Sequence, residues 1–342
     1  MVFWGRISFP SFNFKRGILV RELKVRSIVE GGLITGLSII FTWLTYWFFP
    51  FFFVCPLPLM FLSYRHGVKL SFISLMISLL FSFLLINPVY SIFVFLPSCF
   101  LGVFLGYGLK KNLSFTKLFF IGTLIFFGME LFSILFSVLA LNIPLEKAIG
   151  IDVLKESWGQ SLNMLEGLAK RTGGLQNLED LKKMQNQMLD SLSMLIPSLL
   201  LFSSFLQVLV SYFIAEKILK RFDFPIKPIP NIETLRISKK LFMRLLIVYV
   251  IALILNNFFP IQVFKYAVTN IFFMIQILIF LEGCFVLWNF MKLFLPSRIL
   301  RGILFVLLIF NPLLESIIFV VGLIDIFYPL REKFLNKKEL EL

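Results

Sequence analysis

Long apolar segments follow one another from about residue 28 to residue 328 and are separated by short polar breaks. A helix needs about 20 mostly apolar residues to cross a bilayer, and lipid offers no partner to an unpaired backbone group. Because the alternating pattern of barrel strands is absent, we predict an all-α fold, a polytopic transmembrane helix bundle of about 8–10 spans. The predicted spans are about 28–46, 48–63, 68–87, 89–109, 116–141, 191–216, 241–259, 263–291 and 301–328.

The breaks between these segments differ in charge. The segment 1–27 carries six bases against one acid, and 217–240 carries seven bases. The longest break, 141–190, is balanced, with six bases and seven acids. Cytoplasmic loops of membrane proteins accumulate Lys and Arg. The pattern therefore predicts an N-terminus inside the cell and an extracytoplasmic break at 141–190.

The first apolar stretch, 28–63, is predicted to cross the membrane twice. A single span would leave the cluster Arg65, His66 and Lys69 outside, against the charge rule. The second half of the stretch contains three prolines, which lack the N–H that a helix needs and therefore bend it. The last segment is interrupted at Asn311-Pro312, and the side of the C-terminal tail stays open.

The break at 141–190 has a pattern of its own. Leu and Trp recur at helical spacing over 154–168, Leu and Met do so over 175–188, and Gly173-Gly174 lies between the two runs. This predicts two amphipathic helices hinged at the glycines. They either rest their apolar faces on the outer leaflet or close as a lid over an outward pocket.

Composition narrows the class of protein. Hydrophobic residues make up 59% of the chain and charged residues 15%, well below the quarter typical of soluble proteins. The net charge of +14 falls at span ends, so we expect no nucleic-acid binding. With one histidine, three scattered cysteines and no catalytic motif, we expect neither an enzyme nor a metal or cofactor. A lipid-modifying enzyme using Arg65 and His66 is a weaker hypothesis.

Four side chains are candidates for ligand contact. Glu130 is the strongest, because it lies near the middle of 116–141, where an ionisable group is costly. Packing against a neighbouring helix is the alternative explanation. Trp158 lies in the extracytoplasmic insertion, and Trp43 and Trp47 lie near the outer end of the first span. An interfacial aromatic belt also explains the last two.

Glycines mark two helix faces. Gly32 and Gly36 form a G-x-x-x-G pattern on the first span, where another helix of this chain or of a partner can approach closely. Gly102, Gly106 and Gly108 lie inside an apolar helix, so we predict close helix packing there rather than a nucleotide-binding loop.

Several local motifs carry a family resemblance. They are Pro56-Leu57-Pro58 followed by Tyr64-Arg65-His66-Gly67, the junction Asn87-Pro88, the run GVFLGYGLKK and the basic loop RFDFPIKPIP. Over about residues 25–330 the chain resembles the YybS-like family of uncharacterised bacterial membrane proteins. It departs from that family in its loop ending NIETLRISKK, which lacks a Trp-x-Leu-Pro sequence, and in its additional N-terminal residues.

Over its first six spans that family is similar to the substrate-binding (S) components of energy-coupling-factor transporters. The resemblance implies capture of a vitamin-like solute from outside. It also implies that Gly32 and Gly36, in place of the more usual alanines, dock on a transmembrane coupling subunit that works with an ATPase.

We therefore predict a bacterial inner-membrane protein that binds or transports a small solute; a non-transporting scaffold for cell-envelope assembly is the alternative. Its expected partners are membrane lipid, the solute, a coupling subunit and an ATPase. The predicted parts are a basic cytoplasmic segment 1–27, a six-span bundle 28–217 that includes the insertion 141–190, a basic cytoplasmic loop 218–240, additional transmembrane helices 241–328 and a charged tail 329–342.

Overall fold

A computed structural model describes residues 11–152, 155–161, 164, 178–222, 226, 228–229, 236–295, 297–328 and 330. Throughout these ranges the regular elements are helices. Short elements are the helix Leu145–Ala148, 3₁₀ turns at Phe49–Phe53 and Lys220–Phe222, and a π turn at Ser91–Phe95 inside α4. The main helices are α1 (Ser11–Trp47), α2 (Leu57–His66), α3 (Val68–Leu85), α4 (Pro88–Lys110), α5 (Phe115–Ala140), α6 (Leu178–Leu219), α7 (Lys239–Phe258), α8 (Gln262–Phe294), α9 (Arg298–Ile309) and α10 (Pro312–Phe327).

Seven helices in the described part of the chain are long and apolar enough to cross a membrane. They are α3, α4, α5, α7, α8, Ser27–Trp47 of α1 and Gln187–Leu219 of α6. Helices α9 and α10 pass the same test together but are bent by 102°, so the count is eight if the pair forms one span. The predicted all-α polytopic architecture is confirmed, and the last apolar segment breaks at Asn311-Pro312 as expected.

The predicted second span, 48–63, is not a continuous helix. It consists of the 3₁₀ turn Phe49–Phe53 followed by α2, which has only 10 residues. The prolines account for the break, because Pro50 opens the 3₁₀ turn and Pro56 and Pro58 stand at the start of α2. We refer to residues 48–56 as the helix break.

The helix break nevertheless brings the chain back to where α1 began. Glu30, near the start of the apolar part of α1, contacts His66 Nε2 at 2.6 Å and Arg65 Nη1 at 3.3 Å. Beside them, a Cβ atom at Gly67 would lie 3.7 Å from Lys110 Nζ, at the end of α4. Arg65, His66 and Lys110 therefore lie together, as the two-span prediction requires; we call this group the basic end.

The chain divides into two compact units. The first comprises Met1–Ile149 and Leu201–Pro228, and the second comprises Gly150–Leu200 and Ile229–Leu342. The division falls inside α6, so one helix contributes residues to both units.

In the first unit, α1 and α3 meet through small polar side chains. The hydroxyl of Ser78 donates to the Thr35 carbonyl at 3.3 Å, and Gly31 packs against Leu70. Such residues let helix backbones approach closely inside a membrane. The buried faces are therefore polar and the exposed faces apolar; the buried Ser and Thr residues of the two helices are Thr35, Ser38, Thr42, Thr45, Ser71, Ser74, Ser78 and Ser82.

Helices α2 and α4 make the closest backbone contact in this unit. A Cβ atom at Gly102 would lie 2.2 Å from the Pro56 carbonyl oxygen, and one at Gly106 would lie 2.2 Å from the Met60 carbonyl oxygen. No real Cβ contact is so short, so these two positions require glycine. The predicted close packing of these glycines is confirmed.

The second unit uses the same device between α8 and α10. A Cβ atom at Gly283 would lie 2.0 Å from the Ile318 carbonyl oxygen, and one at Gly322 would lie 2.1 Å from the Ile279 carbonyl oxygen. Around this contact lies a hydrophobic cluster formed by Phe242, Ile275, Ile279 and Ile326.

A proline inside α6 is covered by an asparagine of α8. Pro197 cannot donate a backbone hydrogen bond, and nearby groups of the same helix turn to Asn270 instead. The amide of Asn270 donates to the Met194 carbonyl at 2.8 Å and accepts from the Ser198 backbone N–H at 2.9 Å. The side chain thus satisfies backbone groups that the proline disturbs.

The insertion 141–190, predicted to be extracytoplasmic, is described only in part. Residues 155–161 are helical, in line with the first amphipathic run, whereas Gly173-Gly174 lies outside the described residues. The second amphipathic run and the following span belong to one helix, because α6 runs without interruption from Leu178 to Leu219 and its segment long and apolar enough to cross a membrane begins at Gln187. No glycine or proline stands between 175–188 and the following span, so nothing stops the helix there.

Candidate functional site

Glu130 meets two serines of α6 deep within α5. Its carboxylate accepts a hydrogen bond from Ser204 Oγ at 2.8 Å, and Ser203 Oγ lies 3.1 and 3.3 Å from its two oxygens. From the first residue of α5 to Glu130 the helix rises about 22 Å, so the carboxylate lies far from either helix end. An ionisable group at such a depth is costly unless polar partners hold it.

Aromatic and small residues bring α5 and α6 to this distance. The rings of Phe119 and Phe205 meet edge to face with centroids 4.8 Å apart, and a Cβ atom at Gly122 would contact Val208 at 3.3 Å. Both contacts lie on one side of the two serines, and they hold α6 close to α5 within reach of the Glu130 carboxylate.

The polar side chains of α6 continue past the serines as a buried column. Ser204, Gln207 and Ser211 are separated by three and four residues, so they lie on one face of the helix, and each is fully buried. Gln207 Nε2 donates to the Phe52 carbonyl at 3.0 Å, and Ser211 Oγ donates to the Phe53 carbonyl at 2.8 Å. We call these three residues the polar column.

The polar column therefore supplies hydrogen-bond donors to backbone carbonyls of the helix break. Non-helical backbone is tolerated at membrane depth only where protein or a water-filled cavity covers it. Phe52 also packs against Phe126, one turn before Glu130, with ring centroids 6.1 Å apart. Glu130 and the helix break are thus neighbours, both served by the same face of α6.

One acceptor at this place has no partner. Gln207 Oε1 is buried and accepts no hydrogen bond, while the amide nitrogen of the same side chain is used on Phe52. Together with the carboxylate of Glu130, it makes the site rich in acceptors. Such a site suits a ligand that presents N–H or O–H donors.

Of the other predicted site residues, Trp43, Trp47, Gly32 and Gly36 lie on α1 of the first unit, and Trp158 belongs to the second unit. Trp43 and Trp47 pack against each other with ring centroids 6.3 Å apart, and both are exposed. A Cβ atom at Gly32 or Gly36 would meet nothing within 4 Å, so in the described part of the chain no helix covers this face. Trp158 lies in the helical residues 155–161 and is partly buried.

The second unit holds two fully buried acidic residues, Glu282 and Asp325. Glu282 accepts from the Ile237 backbone N–H at 2.9 Å, and Arg236 donates to the Asp325 carbonyl at 3.0 Å. The end of the basic loop 218–240 is therefore bound between α8 and α10. Sequence reasoning missed this contact, because the loop was assigned to the cytoplasm by charge alone.

Nothing in the described ranges groups three or more His, Cys, Asp or Glu side chains as a metal site would. The side chains at Glu130 offer one carboxylate and the hydroxyls of Ser203 and Ser204.

Comparison with known proteins gives one family and one relative. The profile of a family described as "Predicted membrane protein (DUF2232)" matches residues 33–326. The "Uncharacterized protein YybS" of Bacillus subtilis (strain 168) is 26% identical over 320 residues, which cover 91% of this chain and 99% of the relative. No solved structure matches significantly.

Proposed function

This chain belongs to the DUF2232 family of predicted membrane proteins, and from that premise we propose that it binds a small solute at Glu130 and serves as a transporter subunit. The observation that carries the proposal is the Glu130 carboxylate, held by Ser203 and Ser204 beside the helix break. In transporters, interrupted helices at membrane depth form substrate sites, because they free backbone groups and side chains to contact the solute.

The orientation follows from charge. Cytoplasmic ends of spans collect Lys and Arg, so the basic end faces the cytoplasm. Helix α5 begins beside Lys117 and ends at Ala140, which supports an outer location for residues 141–190. Glu130 then lies about 15 Å below the outer end of its helix. A solute would therefore enter from outside a bacterial cytoplasmic membrane.

The likeness to substrate components of energy-coupling-factor transporters supports the same function. Those proteins dock on a transmembrane coupling subunit, driven by an ATPase, through small residues on the first helix. Gly32 and Gly36 offer such a face, since no other described helix lies within 4 Å of a Cβ atom at either position. A vitamin-like heterocycle with N–H donors suits the acceptors of Glu130 and Gln207.

The test is solute binding by the purified full-length protein. We expect one member of a vitamin and nucleobase panel to raise the thermal unfolding midpoint, and an analogue methylated at its N–H donors to bind at least tenfold more weakly. Glu130→Gln should abolish the shift while the apo protein stays folded. Glu315→Gln is the matched control, because Glu315 is an exposed acid on the apolar helix α10. Equal shifts in both variants would refute the role of Glu130.

A scaffold for cell-envelope assembly is the second candidate, and the uncovered face at Gly32 and Gly36 favours it equally. Replacing both glycines by leucine should release a transmembrane partner in either case. Loss of solute uptake together with the partner supports a transporter. Capture of an envelope-assembly protein, with no panel member bound, supports a scaffold.

A further inference from the structure

Arg301 is a buried cation with no counter-ion among the residues that the structure describes. Its side chain lies in the first turn of α9 with 6% of its surface exposed, and its Nε atom makes no hydrogen bond. In the described part of the chain no carboxylate lies within 4.0 Å of it. Burying an uncompensated charge is costly, so this position calls for an anion that no described residue supplies.

The guanidinium is fixed by an aromatic face. Its central carbon lies 5.1 Å from the centroid of the Trp288 ring, and Trp288 is itself held edge to face by Phe305 at 5.2 Å. Stacking on a ring occupies one face of the guanidinium and leaves the N–H groups along its edge. Those donors match two oxygens of a phosphate or carboxylate in one plane.

The start of α9 adds to the positive potential. Ser297 caps the 12-residue helix through the Leu300 N–H at 3.4 Å, and the N-terminus of a helix carries a partial positive charge. Arg298, in the same turn, is exposed and basic. An anion beside Arg301 would therefore meet the guanidinium, the helix dipole and a second arginine.

We propose that Arg301, Trp288 and the first turn of α9 bind a phosphate group. Phosphate has the charge and the planar pairs of oxygens that an arginine edge recognises best among common cellular anions. The apolar side chains next to the site are exposed, with 67% of Phe294 and 78% of Ile299 accessible. The phosphate comes either from a lipid headgroup or from a free phosphate compound.

The test uses the full-length protein in detergent. Thermal unfolding is followed during titration with inorganic phosphate, and separately with phosphatidylglycerol or phosphatidylcholine added to the micelles. If the unfolding midpoint rises with inorganic phosphate and with both lipids, the site binds phosphate groups in general. If the midpoint rises with lipid alone, the site binds a lipid headgroup. If none of these probes raises the midpoint, the proposal is wrong.

Variants separate binding from structure. Arg301→Gln should weaken phosphate or lipid binding at least tenfold and, without these probes, should be no less stable than the wild type, because it removes an unpaired charge. Arg298→Gln is the matched control and should retain binding within about threefold. If Arg301→Gln does not fold, Arg301→Lys keeps the charge but loses the planar fork, and we expect weaker, detectable binding. Equal destabilisation with and without phosphate or lipid would show a purely structural arginine.

Discussion

The contact between α2 and α4 gives the sharpest prediction. The structure determines whether a substitution there raises or lowers stability, and it also provides a matched control glycine on another helix. Gly102→Ala would place a Cβ atom 2.2 Å from the Pro56 carbonyl oxygen, which is 1.2 Å less than the 3.4 Å at which ordinary contact begins. The obstructing atom belongs to the backbone, so no side-chain rotation relieves it. The two helices must move apart instead.

The cost follows from two opposing terms. Overpacking of a close contact costs about 1–3 kcal/mol, and the loss of the neighbouring contact at Gly106 pushes the value to the upper part of that range. Alanine restores about 1 kcal/mol through its higher helix propensity. We expect a net destabilisation of about 1–2 kcal/mol for Gly102→Ala.

Gly128→Ala is the matched control on α5. A Cβ atom at Gly128 would meet nothing within 4 Å, so only the propensity gain applies and stability should rise by up to about 1 kcal/mol. The two variants therefore differ in sign. Thermal unfolding in detergent, followed by helical circular dichroism, measures both.

Thiol labelling adds a local readout. Cys55 and Cys99 are fully buried in the hydrophobic cluster beside this contact. Cys284 belongs to the second unit, and the experiment uses a protein in which Cys284 has been replaced by alanine, so that only the first two thiols can be labelled. Separation of α2 from α4 should speed maleimide labelling of both thiols in Gly102→Ala and leave it unchanged in Gly128→Ala. If Gly102→Ala unfolds and labels like Gly128→Ala, the close approach of these helices is refuted.

Three further predictions rest on single contacts. Asn270→Leu should cost about 1–3 kcal/mol, because the Ser198 N–H and the Met194 carbonyl beside Pro197 lose their partner. Gln207→Leu should cost about 1–2 kcal/mol, because it leaves the Phe52 carbonyl unpaired while removing an unsatisfied amide oxygen. Glu30→Gln should cost less than about 1 kcal/mol and respond to salt, since Arg65 is 45% exposed. Thermal unfolding in detergent checks all three.

Each of these predictions has its own comparison. Asn257→Leu and Gln262→Leu replace exposed amides at helix ends and should change stability by less than about 0.5 kcal/mol. If Asn270→Leu is as mild as Asn257→Leu, the proline in α6 needs no external partner. A large, salt-independent loss for Glu30→Gln would mean that the ion pair is far more buried than its exposure indicates.

Hydropathy predicted the spans because each span needs only a long run of apolar residues, and such a run can be read directly from consecutive residues in the sequence. The faces that pack were harder to predict. In α1 and α3 most of the buried residues are Ser and Thr, whereas many Leu, Ile and Phe residues are exposed, the reverse of a soluble helix. Their recurrence every three or four residues was visible in the sequence and would have marked these faces.

Glu130 was identified from its cost within a span, but its surroundings were not. Its partners Ser203 and Ser204 lie 73 and 74 residues away, and nothing local joins them. The spacing of Ser204, Gln207 and Ser211 in an apolar run was the available signal. Arg301 and Trp288 gave no such signal in the sequence, because an arginine near the end of a predicted span fits the ordinary accumulation of basic residues there.

The hydrogen bonds that satisfy the helix break have a consequence for biogenesis. Gln207 and Ser211 follow their acceptors by 155 and 158 residues, so ribosomes adding about 5–20 residues per second synthesise them roughly 8–30 s later. Until then the Phe52 and Phe53 carbonyls need water or the insertion machinery as partners. We therefore expect residues 48–66 to reach their final position only after α6 has been inserted, so that the order of assembly in this unit differs from the order of synthesis.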